Sequence, residues 1–473
     1  MERRWQVLTV VSVAVFMVSL DLFIVNIAFP HIAGDFHGAS LATVSWVLNA
    51  YAIVIAALMV PAGRMADRAG RRRAFLAGLA LFAVGSALCG AAPTIGALVV
   101  ARVVQAAGAA LIVPTSLALL LPEFTAAQRP AAIGIWAAVG GIAAAAGPPL
   151  GGLLVEVSWR LVFLVNVPVA LLAIAYGRGL LRESRDEAGG RPDLAGSAIL
   201  ALAVGLLALA LVKAPSWGWS DARTIGGVVV AGAGLVAFWR RCLAHPVPVV
   251  EPAMLRVRSY ALASTASLLF SAAFAAMLLG VVLYMTGVWG DTALRAGFGL
   301  SPGPLMAATF AVTSGRFANR IGQRALATAG LTLFGLGCVW WRLRLGAGAD
   351  YAGEMLPGLL LSGTGVGLVL PSLASAAAAS LPPARFATGS AVFTMSRQLG
   401  YVLGVAILVA LLGTGPAPTF GGAWVFMAIA CGLGAVAAFA IGVVRPYSEF
   451  APGAAAVAPA APASSAVQVG EPA

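Results

Sequence analysis

Apolar stretches of about 20 residues recur along almost the whole chain, each long enough to cross a hydrocarbon core about 30 Å thick as an α-helix. No water is available in that core to bond exposed backbone groups, so a chain built from such stretches must satisfy them internally, as helices do. The pattern therefore predicts an all-α polytopic membrane protein. Composition agrees, since 61% of the 473 residues are hydrophobic and 10% are charged, against about a quarter charged in soluble domains.

Glycine, proline and charge punctuation divides the chain into fourteen expected spans. The first seven lie near 7–29, 43–62, 74–92, 97–121, 131–155, 160–181 and 194–213. The second seven lie near 224–239, 260–286, 297–314, 325–341, 355–379, 386–412 and 422–444. An even number puts both termini on one side. If that side is the cytoplasm, only Arg160, Lys213, Arg223, Arg295, Arg342 and Arg344 fall in outer connections, with Arg102 and Arg397 inside spans. The remaining arginines lie inside, as the positive-inside rule requires, and moving the count by one span early would reverse the bias. The opening MERRW and the apolar run to Phe29 imitate a secretory leader, but Asp21, Asn26 and the lack of an A-x-A site mark an uncleaved first span.

A repeat is visible: GRMADRAGRR from Gly63 joins spans 2 and 3, and GRFANRIGQR from Gly315 joins spans 10 and 11. The copies sit about 250 residues apart, where two six-span halves would place them about 190 apart, and the excess fits one inserted hairpin. The expected organisation is a six-helix bundle over 1–182, an inserted helix pair with linkers over 183–241, a second six-helix bundle over 242–445, and an Ala/Pro-rich disordered cytoplasmic tail over 446–473.

Several function classes drop out. The formal charge of +12 is scattered over segment ends rather than gathered on one module, so no nucleic-acid partner is expected. Cys89, Cys242, Cys338 and Cys431 show neither disulfide nor metal spacing, and His31, His37 and His245 form no ligand pair, so no metal and no cofactor are expected. A polytopic enzyme would need loop carboxylate pairs or such clusters. A nucleotide loop needs G-x-x-x-x-G-K-[ST], and the sole lysine, Lys213, follows Val212, so the chain is no primary pump.

The polar residues inside spans carry the chemistry. Asp21 is the one acid deep in any expected span. An acid in a membrane is costly and by default marks a functional site with a partner. Asp21 lies about 12 Å from the outer end of span 1, and Arg102 about 8 Å below the outer end of span 4, so the two are expected to meet in the outer half. A purely structural ion pair is the alternative. Gln105 stands one turn beyond Arg102. Asn26, Asn49, Tyr51, Gln105, Arg397 and Gln398 are candidate cavity residues, although polar side chains also bond neighbouring helices. Span 5 carries GGIAAAAGPPLGG from Gly140 to Gly152, a bendable and closely packing segment.

Together these motifs resemble the major facilitator superfamily, and specifically its fourteen-span drug:proton antiporter branch, over residues 1 to about 445. SLDLFIVNIAFP from Ser19 resembles the branch's first-span pattern, and ARVVQAAGAA from Ala101 its fourth-span motif, with Ala106 where Gly is usual. GRMADRAGRR resembles the superfamily's gate loop with Met65 in the Leu position, and the second copy has Asn319 in place of the acid. WRLVFLVNVP from Trp159 and RQLGYVLGVA from Arg397 match further branch motifs.

The resemblance implies a major-facilitator fold of two six-helix bundles plus a hairpin, working by alternating access with both termini in the cytoplasm of a bacterial cell. It implies a cytoplasmic gate loop built on Gly63, Asp67, Arg68, Gly70, Arg71 and Arg72, which in the family docks onto the opposite half. Gly147, Pro148, Gly151 and Gly152 match a motif associated with exporters, with Ala143 at an earlier Gly position. Asp21 with Arg102 would couple transport to protons. The expected partners are a lipophilic or amphipathic small molecule, protons and the bilayer, with the chain a monomer. Near-exclusive use of arginine over lysine, with abundant Ala and Gly, suggests a GC-rich genome and makes antibiotic self-resistance a natural role. A solute importer of the same superfamily is the rival reading.

Overall fold

The computed structural model describes residues 2–36, 39–125, 128–185, 192–382, 385–413 and 419–442; the tail expected over 446–473 and His37 lie outside them. The described residues form long helices in chain order. The first six are α1 (Arg3–Asp35), α2 (Trp46–Ala69), α3 (Arg71–Ala91), α4 (Ile95–Leu120), α5 (Arg129–Val157) and α6 (Asn166–Leu180). Two more, α7 (Leu194–Trp217) and α8 (Ala222–Ala244), form a hairpin. The last six are α9 (Arg258–Gly287), α10 (Pro302–Ile321), α11 (Gln323–Arg344), α12 (Leu356–Ala379), α13 (Phe386–Leu412) and α14 (Gly421–Ala440).

Among the described residues, thirteen helices are long and apolar enough to cross a membrane. The helix not among them is α10, which fills the place of the expected tenth span. That span was expected to begin at 297, but Pro302 starts a new helix after a separate one-to-two-turn helix, Ala293–Leu300. Elsewhere the helices overrun the expected apolar cores, as α1 does at both ends, because charged flanks continue the helix into the interfacial zone.

The repeat is structural as well as sequential. α2 ends and α3 begins at Gly70, with φ 117°, and α10 passes into α11 through Gly322, at the equivalent repeat position, with φ 85°. Both angles lie where a side chain is strained and glycine is not, so one residue reverses the chain in each copy. The expected Asn319 difference in the second copy lies outside the described side chains.

Contacts fall into two sets, α1 to α6 packing mainly with one another and α9 to α14 likewise. Across the seam between them, α2 packs on α13, and α5 packs on α10 and on the helix Ala293–Leu300. The hairpin lies along this seam, α7 touching both α2 and α13. Asp193 ties it shut: its buried carboxylate accepts from Gly196 N at the start of α7 (2.8 Å) and from Arg241 Nε in the last turn of α8 (2.8 Å). The other face of α8 exposes Val229, Val230 and Leu243, as a lipid-facing helix does.

Candidate functional site

Asp21 sits in mid α1, fully buried. α4 delivers Arg102 and Gln105 one turn apart, so both point at the same neighbour. Arg102 Nη1 donates to Asp21 Oδ2 at 2.5 Å and to Gln105 Oε1 at 2.6 Å, while its Nε donates to the Val47 carbonyl at 3.0 Å. Gln105 Nε2 donates to Asp21 Oδ1 at 2.8 Å and to Ser86 Oγ on α3 at 2.8 Å. Asn166, the first residue of α6, donates to Asp21 Oδ1 at 3.3 Å. The Tyr51 ring covers the guanidinium at 3.9 Å. Five of the first six helices thus converge on one carboxylate through α1, α2, α3, α4 and α6.

The network is charge-balanced and closely bonded, which is the condition under which a buried ion pair is tolerated. Asn166 follows the short helix Leu161–Leu164 through Val165, whose N–H still bonds the Leu161 carbonyl, so both run as one helical segment past the network. Asn166, Ser86 and the Val47 carbonyl were not among the sequence candidates. Asn166 lies in the WRLVFLVNVP stretch, where an amide inside an apolar run is the available signal.

Beside the network a cavity of about 20 Å³ lies on the seam. It is lined by Asn26 from α1, Asn49 from α2, Arg102 from α4, Leu278 from α9, and Tyr401 and Val405 from α13. Of the residues considered for a cavity, Asn26 and Asn49 line it. Tyr51 lies over Arg102 instead, and Gln105 is occupied by Asp21. Arg397 and Gln398 stand one turn before Tyr401 on α13, Gln398 buried and Arg397 half-buried, and neither lines the cavity.

The Gly147–Gly152 stretch of α5 packs on both halves. A Cβ on Gly147 would lie 2.6 Å from Phe23 Cβ on α1, and one on Gly151 would press on Ile24 and Ile27 at 3.1 Å. Further along, a Cβ on Gly152 would meet the Ala293 carbonyl and Leu294 Cα, each at 3.0 Å, and Pro148 packs on Gly297. Only glycine lets α5 approach α1 and the opposite half this closely. The helix running beside Asp21 is therefore also the helix that meets the second bundle on the face away from the N-terminus.

On the N-terminal face, the gate-loop residues surround the α2–α3 turn. Gly63 lies within α2 against Pro114, Asp67 pairs with Arg71 one turn on (2.7 Å), and Arg68 is exposed. The N–H groups of Arg72 and Arg73 donate to the Glu183 carboxylate at 3.0 and 3.2 Å, and Arg71 N donates to the Ser184 carbonyl at 3.0 Å. The Arg72 guanidinium bonds the Arg178 carbonyl. The loop is thus held by its own half, at the end of α6. The link to the other half comes from Arg64, whose Nη1 donates to the Pro248 carbonyl at 2.9 Å and whose Nη2 lies 3.6 Å from Glu251. Glu251 also meets Arg385, just before α13, at 3.6 Å. Arg64, Glu183, Glu251 and Arg385 were not gate candidates; Glu251 is signalled by being the single acid between Arg240 and Ser259.

Comparison with known proteins agrees with this architecture. The family model described as Major Facilitator Superfamily matches residues 11–309. The tetracenomycin C resistance and export protein of Streptomyces glaucescens is 34% identical over 424 residues, covering 89% of this chain and 78% of that protein. The multidrug resistance protein Stp of Mycobacterium tuberculosis is 34% identical over 415 residues, covering 87% and 76%. The puromycin resistance protein pur8 of Streptomyces alboniger is 33% identical over 463 residues, covering 93% and 89%.

Proposed function

This chain belongs to the major facilitator superfamily, and from that premise we propose that it is a proton-coupled antiporter that exports lipophilic or amphipathic molecules, antibiotics among them, across a bacterial cytoplasmic membrane. Relatives named for resistance and export support the direction. The observation that carries the coupling is the buried Asp21–Arg102 pair, whose guanidinium also borders the cavity on the seam.

The chemistry stems from that shared arginine. A rearrangement that parts Asp21 from Arg102 leaves the carboxylate in apolar surroundings without its cation, and it takes up a proton, whereas substrate binds the state in which the pair is closed. Gln105 and Asn166 still donate to Oδ1 of a neutral Asp21. Substrate and proton then exclude one another, and the proton gradient drives export as the two bundles exchange access around the fixed site. The N-terminal face, with both termini, is the cytoplasmic one in this reading, and Arg64, Glu251 and Arg385 close it while the loop around Asp67 steadies α2.

Reconstituted protein tests the proposal. Asp21→Asn keeps the size of the side chain but removes the titrating group, and it should reduce pH-gradient-driven efflux by about a hundredfold or more while substrate binding persists. Undiminished gradient-driven export by this variant would refute the coupling role.

A further inference from the structure

Asn49 is fully buried on α2 and borders the cavity, yet neither its Nδ2 nor its Oδ1 has a hydrogen-bonding partner among the described residues. Buried amides are almost always bonded, and one left unpaired in apolar surroundings lowers stability where a leucine would not. Its neighbour Asn26 behaves in the ordinary way, donating to the Leu22 carbonyl of its own helix at 2.8 Å. Asn49 is therefore a donor and an acceptor, side by side, held open toward the seam.

Two further observations restrict what it would meet. Arg102 offers no net charge to a ligand, because Asp21 neutralises it and Gln105, the Val47 carbonyl and the Tyr51 ring occupy it. Across the seam the lining is Ala275, Leu278, Tyr401 and Val405, with further aromatic rings packed behind Tyr401. Tyr401 borders the cavity and meets Phe274 edge to face at 6.1 Å, and Phe274 in turn packs on Phe270, Phe334 and, from the other half, Phe23. A cavity of about 20 Å³ has room for little more than one water molecule. A drug-sized occupant must part the bundles, breaking the Phe23–Phe274 contact and uncovering ring faces opposite the amide.

We infer that the cavity selects a flat, uncharged aromatic molecule bearing an adjacent hydrogen-bond donor and acceptor on one edge, as a lactam or imide does, with Asn49 reading that edge and Tyr401 stacking on the ring. This rests on the export reading above and names its substrate class. Asn49 is a specificity residue here, distinct from the proton-carrying pair.

The probes are 6(5H)-phenanthridinone, a planar lactam, and its N-methyl derivative, which keeps the shape and loses the donor. Binding is measured with the full chain in nanodiscs. The lactam should bind about tenfold more tightly, Asn49→Leu should abolish the preference, and Tyr401→Ala should weaken both probes alike. Equal binding of the two probes, no binding of either, or a preference retained in Asn49→Leu would overturn the inference; the first two need no variant to fold. Proteoliposomes under a pH gradient separate this from the broader proposal. A lactam preference without gradient-driven movement of either probe supports the specificity and defeats coupled export, whereas equal gradient-driven export of both defeats the specificity alone.

Discussion

The two halves share a repeat and a turn, yet they fill equivalent positions with opposite chemistry. α1, which opens the first half, carries a buried acid bonded by Arg102, Gln105 and Asn166. α9, which opens the second, carries no charge after Arg258 and instead presents Phe270 and Phe274 to Phe334 and Tyr401. One half buries a carboxylate and a guanidinium, and the other buries rings that carry no charge. The difference teaches that a duplicated scaffold can give its two halves different chemistry while both face one seam.

The comparison can be broken experimentally. The largest effect is expected from Arg102→Ala, which strands a buried carboxylate and should cost about 3–5 kcal/mol of stability. Adding Asp21→Asn to that variant should recover most of the loss, and thermal unfolding of the single and double variants in detergent checks it. Independent, additive losses would mean that the pair is not a unit.

The two turns give the next test. Gly70→Ala and Gly322→Ala both force a side chain into a glycine-only conformation, costing about 1–3 kcal/mol. A Cβ at Gly70 would also meet the Glu183 carboxylate at 2.6 Å, whereas one at Gly322 meets nothing among the described residues within 4 Å. Gly70→Ala should therefore be the more destabilising, and equal shifts in melting temperature would show that Glu183 does not brace the first turn.

The smallest effect concerns the contact that joins the halves. Glu251→Gln removes the charge shared by Arg64 and Arg385, which are partly exposed, so the change should be about two- to fivefold. It should appear as a shift toward opening of the N-terminal face, read from spin-label distances between the ends of α2 and α13. An unchanged distance distribution would move the clasp elsewhere.

Much of this was legible in the sequence because lipid leaves few choices. Runs of apolar residues specify helices, and an acid inside one such run demands a partner, so Asp21 and Arg102 stand out at 81 residues' separation. What was hidden depends on which way a helix turns. Asn49 and Tyr51 are two residues apart on α2 and so face different neighbours, one the seam and the other Arg102. The gate loop carries its own i,i+4 pair, Asp67 with Arg71, and no local pattern reveals that Glu183, over a hundred residues away, holds the turn while Arg64 makes the crossing.

The staple between Asp193 and Arg241 bears on how the chain is threaded. The last turn of α8 bonds back to the first residue before α7, so this pair of helices closes on itself through contacts that involve no residue of α9. Such a pair preserves parity: two crossings return the chain to the side it left, and the helices that follow keep the orientation they would have without them.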